Sequence, residues 1–91
     1  MQMMLEILEI DGGNTVEKYN RVFVETFGLK QNFLPENVTR NEIKDWDSIG
    51  HISLITKLED EYNILFDTED ILKFNSYLTG IDILKKYGVK L

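Results

Sequence analysis

Residues 47–62 read Asp47-Ser48-Ile49-Gly50-His51-Ile52-Ser53-Leu54-Ile55-Thr56-Lys57-Leu58-Glu59-Asp60-Glu61-Tyr62. Ile49, Ile52, Leu54, Ile55, Leu58 and Tyr62 form a stripe at helical spacing, and Asp47-Ser48 stands at its start as a capping pair. At about 100° per residue, Gly50, Ser53, Lys57 and Asp60 fall on the opposite face, toward solvent. His51 lies near the centre of the stripe and is expected to be a partly buried structural histidine. A helix with one apolar face must bury it against other elements, so the neighbouring sequence decides the class.

Upstream, Asn14 with Glu17 makes a capping box, and Val16, Tyr19, Val22, Phe23 and Phe27 recur at three and four until Gly28 stops the helix. Leu29 to Trp46 is a long polar connection with Pro35, Asn37 and Asn41, punctuated by Leu29, Phe33, Leu34, Val38, Ile43 and Trp46. So long a loop in a small domain has to pack down, and these residues are its expected anchors. Downstream, Asn63 to Phe66 is a turn and Asp67-Thr68-Glu69-Asp70 caps a short helix reaching Lys73. Phe74 returns to the core. Asn75 or Ser76 caps a last helix with Tyr77, Leu78, Ile81, Leu84 and Tyr87, stopped by Gly88. Gly80 inside that helix costs about 1 kcal/mol against Ala, which predicts close packing around it. No segment alternates with a period of two, so the expected fold is all-α, a small bundle of three main helices and one short helix.

The chain has 91 residues, no cysteine, one proline and one histidine, and is 43% hydrophobic and 29% charged, the composition of one small domain. Zero cysteine removes thiolate nucleophiles, Cys-based zinc sites and disulfides. Residues 1–13, with Met3, Met4, Leu5, Ile7, Leu8 and Ile10 broken by Glu6 and Glu9 and closed by Gly12-Gly13, read as an N-terminal appendage hinged to a domain at 14–91. Their apolar run is too short and too interrupted for a membrane span, and a cytoplasmic monomer is expected. The net charge of −6 argues against nucleic acid and anionic membranes as partners. Nine carboxylates against Lys44 and Lys57 between Glu42 and Leu72 place −7 in that stretch alone, which points to a basic partner surface.

Three chemistries compete at residues 45–51. Asp45, Asp47 and Gly50 match positions one, three and six of an EF-hand loop, but Ile49 and Thr56 stand where that loop needs oxygen ligands, including its closing carboxylate. Ser48 and His51 are three apart on a helix, yet no third group is placed to orient the imidazole and no glycine-rich elbow presents the serine. The third possibility is a hydroxyl at a helix N-terminus, where unpaired amides and the positive dipole end favour an attached phosphodiester. Taken as a dipeptide alone, Asp47-Ser48 is a helix cap.

Asp47-Ser48-Ile49, followed by Ile52, Leu54, Ile55, Leu58, Glu59, Asp60, Glu61 and Tyr62, resembles the Asp-Ser-Leu site and second helix of acyl carrier proteins. The likeness runs through Phe66-Asp67 and the short helix to Ile81-Asp82, and back through Gly28-Leu29-Lys30 to the first helix, covering about 14–87. It implies that a phosphopantetheinyl transferase attaches 4′-phosphopantetheine from coenzyme A to Ser48, with Asp47 presenting the site. The arm's thiol then carries acyl or aminoacyl groups between activating and transferring enzymes. Members of the family shelter cargo between helices, which makes Ile52 and Ile55 candidate cleft residues. Glu59, Asp60 and Ile49 become candidates for contact with basic enzyme surfaces; Glu59-Asp60-Glu61 sits at the helix end where negative charge is unfavourable.

Gly50 and Ser53 depart from the fatty-acid members, which usually carry carboxylates there, and Trp46 precedes the Asp where a small residue is commoner. Aromatic-Asp-Ser sites resemble carriers of specialised pathways, for polysaccharide, lipid or natural product, rather than bulk fatty-acid synthesis. Such a protein has no catalysis of its own. The competing class is an unmodified, small acidic helical interaction module in which Asp47-Ser48 is only a cap.

Overall fold

The computed structural model describes residues 16–91; the appendage at 1–13 and the Asn14 half of the capping box lie outside them. Helix α1 covers 16–27 of the described residues and buries Tyr19, Val22, Phe23 and Phe27, which share one face at spacings of three and four. It ends where expected: Gly28 takes φ +67° and donates its N–H to the Val24 carbonyl at 2.8 Å. Helix α2 is Ser48–Tyr62, α3 Thr68–Lys73 and α4 Tyr77–Lys86, with a single turn of 3₁₀ helix at Pro35–Asn37. Three main helices and one short one thus make an all-α bundle with no strand among the described residues. One isolated antiparallel bridge pairs Thr39 with Ser76.

That bridge explains how the long connection is held. Arg40 N–H donates to the Asn75 carbonyl and Tyr77 N–H to the Val38 carbonyl, each at 2.9 Å, so the connection is tied to the start of α4. Val38 and Trp46 are buried, and Leu29, Phe33 and Ile43 pack partly against the core. Leu34 is the exception: it is 56% exposed and anchors nothing.

Aromatic rings fill the centre. Phe23 meets Tyr19, Trp46 and Tyr77 edge-on, and Phe27 stacks on Trp46 at 5.0 Å. Tyr19, wholly buried, donates its hydroxyl to the Tyr77 carbonyl at 2.7 Å, joining α1 to α4. Gly80 is the small residue this packing demands, because a Cβ there would overlap the Tyr19 hydroxyl and the Phe74 ring. Ser76, rather than Asn75, caps α4, its Oγ accepting from Thr79 N–H at 3.0 Å.

Two stripes differ from expectation. In α2 the buried positions are His51, Leu54, Ile55 and Leu58, an i, i+3, i+4, i+7 set. Ile49 and Ile52 lie about 160° and 100° round the helix from His51 and are 79% and 65% exposed. On the other flank Gly50 does not face open solvent; it abuts the Asp45 carbonyl, and Ser53 is half-buried. In α4 the buried set is Tyr77, Gly80, Ile83 and Leu84, while Leu78 is half exposed.

Candidate functional site

The site is built where the connection turns into α2. Asp47 is the N-cap, in extended backbone, and its Oδ1 accepts the Gly50 N–H at 2.9 Å while its carbonyl accepts from His51 N–H at 2.8 Å. With the cap supplied by Asp47, Ser48 becomes the first residue of the helix. Its side chain is exposed and takes no intramolecular hydrogen bond among the described residues. The N–H groups of Ser48 and Ile49 have no carbonyl one turn back within the helix, and no acidic residue lies in the first turn. The hydroxyl therefore stands beside two unpaired amides at a helix N-terminus whose cap is the Asp47 carboxylate, and has no capping task of its own.

The loop before Asp47 is fixed from behind. Trp46, 2% exposed, donates its indole N–H to His51 Nδ1 at 2.9 Å. Because the indole can only donate, Nδ1 accepts, the neutral imidazole carries its proton on Nε2, and that N–H donates to the Ile71 carbonyl at 2.8 Å. His51 is thus the structural histidine expected of its place in the stripe, buried more deeply at 6% exposure. Both nitrogens are engaged, so the ring is not a base for Ser48. Leaving either buried partner unpaired costs about 1–3 kcal/mol. Arg40 Nε adds a contact to the Trp46 carbonyl at 3.4 Å, and Gly50 lets the Asp45 carbonyl press against the first turn.

The acidic stretch is less uniform than its sequence. Glu59 is half-buried, and its Oε2 accepts the Phe66 N–H at 3.0 Å, while its carbonyl receives Ile64 N–H at 3.1 Å as the chain leaves α2 through left-handed Asn63. Local structure therefore does account for this carboxylate at the helix end. Asp60 and Glu61 are exposed, and Asp60 lines a surface groove with Asn63, Ile64 and Leu65. Asp67 precedes α3 without a side-chain capping bond. Asp70 is buried: it pairs with Lys86 Nζ at 2.7 Å and accepts the Tyr87 hydroxyl at 2.6 Å. The hydrogen bond from Lys86, followed by that from Tyr87, holds its carboxyl below the usual range.

The proposed cleft pair separates, since Ile52 is exposed and Ile55 is 5% exposed in the core. Ile49, beside Ser48, is exposed. Among the described residues no group of three or more His, Asp or Glu side chains is arranged to hold a metal ion. Nor is any helix there long and apolar enough to cross a membrane. No protein-family model matches the chain, and no curated protein matches it in sequence. The Trp46–His51–Ile71 linkage and the task of Glu59 were missed by sequence reasoning; an indole donor five residues before a stripe histidine was the available signal for the first.

Proposed function

We propose that the protein is a carrier whose Ser48 hydroxyl takes 4′-phosphopantetheine, serving a specialised biosynthetic pathway in the cytoplasm as a monomer. The observation that carries this reading is the exposed Ser48 side chain at the head of α2, free of the capping task that Asp47 performs. In the competing reading, an unmodified interaction module, Asp47 is the cap and Ser48 an ordinary exposed residue of the first turn.

The residues present fit such a group. Ser48 would hold it through a phosphodiester, next to the unpaired N–H groups of the first turn. Asp47, locked in its cap, fixes the backbone on which the hydroxyl is presented. Gly50 keeps the approach from the loop side short, and the neighbouring Asp47 carboxylate is engaged by the Gly50 N–H, with no further acidic residue in the first turn. When bound, the arm supplies the thiol that the chain lacks, and that thiol carries acyl or aminoacyl groups as thioesters. Asp60 and Glu61, exposed at the far end of α2, and Ile49 beside the serine form the surface offered to the transferase and to loading enzymes with basic faces.

The test is intact mass after incubation with coenzyme A and a broad-specificity phosphopantetheinyl transferase. Wild type gains one phosphopantetheine and Ser48→Ala gains none. Wild type without the adduct, or Ser48→Ala with it, overturns the reading.

A further inference from the structure

We propose that His51 is a specificity-determining residue that closes the seam between α2 and α3 and keeps the cargo of the Ser48 arm outside the bundle, so that the protein suits short or polar acyl and aminoacyl groups rather than long alkyl chains. This rests on the carrier reading given above.

A chain attached to Ser48 and entering between α2 and α3 would pass along the serine's own edge of α2. One turn on, at i+3, stands His51, and two turns on, at i+7, Ile55. The imidazole is bonded on both sides of the seam, to the Trp46 indole at 2.9 Å and to the Ile71 carbonyl of α3 at 2.8 Å. The indole lies edge to edge with the imidazole, nearly in its plane, and the Phe74 ring packs against the imidazole at a steep angle, 6.4 Å between centroids. Behind that layer Phe74, Leu54, Leu58 and Leu84 are wholly buried, with Phe66 packed against Phe74. An alkyl chain entering here must displace the ring, strand a buried indole N–H and a carbonyl, and push apart close-packed side chains. Outside the seam the surface is different. Ile52, on the solvent side of Ser48, is exposed, so a short acyl group has an apolar neighbour without entering the core. A side chain that merely filled space would need neither of the two hydrogen bonds; this one spends both ring nitrogens joining the loop before the serine to α3.

The absence of cysteine makes a test independent of enzymatic loading possible. Ser48→Cys is a unique thiol that methanethiosulfonate reagents convert to mixed disulfides carrying ethyl, octyl or hexadecyl chains. With His51 in place, melting temperature is expected to be the same for all three chains, and the methyl NMR signals of Leu54, Leu58 and Leu84 to stay fixed. Combined with His51→Thr, the longer chains should raise the melting temperature by about 4 °C or more over ethyl and shift those methyl signals. Chain-length-dependent stabilisation or methyl shifts with His51 present overturn the proposal, as does their absence from a folded His51→Thr protein; the first arm can still overturn it if that variant does not fold. Failure here is distinct from failure of the carrier reading, which the mass test on wild type reports.

Discussion

Asp70 shows what a single residue gains from its place. In sequence it is one of four successive polar positions ahead of a short helix; in the fold it lies under the last turn of α4, paired with Lys86 and Tyr87. Its carboxyl titrates below the unfolded value near 3.9, so its contribution is present above about pH 4 and is lost as pH falls through the folded value. Asp70→Asn should therefore be less stable than wild type at pH 7, and the gap should close toward pH 2. Denaturant midpoints at the two pH values check this, and a gap independent of pH would contradict it. The residue scale is also where the sequence was least legible. Glu59 reads as one more charge in an acidic run, because its role depends on where the chain turns after Asn63. His51 reads correctly as buried, but its two partners lie 5 and 20 residues away, one of them a backbone carbonyl that no side-chain pattern reports.

At the scale of elements the reading was stronger. The stops at Gly28 and Gly88, both left-handed, and the cap at Asp47 were legible because each follows from local backbone chemistry. The phase of α2 was not. Six apolar letters in one helix leave its buried direction open until the neighbours are known; with His51 bonded to Trp46 and to Ile71 of α3, Leu54, Ile55 and Leu58 face inward and Ile49 and Ile52 stay out. Gly50 gives a prediction of unusual sign. Ala at an ordinary helix position gains about 1 kcal/mol over Gly, but here its Cβ would overlap a backbone carbonyl that has no rotamer to escape into, for a net loss of about 1–2 kcal/mol. Urea unfolding of Gly50→Ala measures it; stabilisation would show that the connection yields easily.

For the whole molecule, the bundle class was legible from periodicity, and the charge asymmetry acquires a finer form. Asp70 is paired and Glu59 is enlisted in a turn, whereas Asp60 and Glu61 remain free to meet a partner. Asp60→Lys with Glu61→Lys should lower kcat/KM for the transferase by about tenfold at low salt, with the difference shrinking as salt rises. Glu59→Lys should act instead on stability, seen as a lower melting temperature. Unchanged kcat/KM at low salt in the first pair would remove the partner role. Finally, the Tyr19 hydroxyl reaches a carbonyl 58 residues later, and the Lys86 and Tyr87 side chains hold a helix made before them. The core around Tyr19, Phe23 and Phe74 therefore closes only when the first and last helices meet, a long-range step in folding. A chain cut short before residue 77 would leave that aromatic cluster without its cover, the kind of surface through which incomplete chains aggregate.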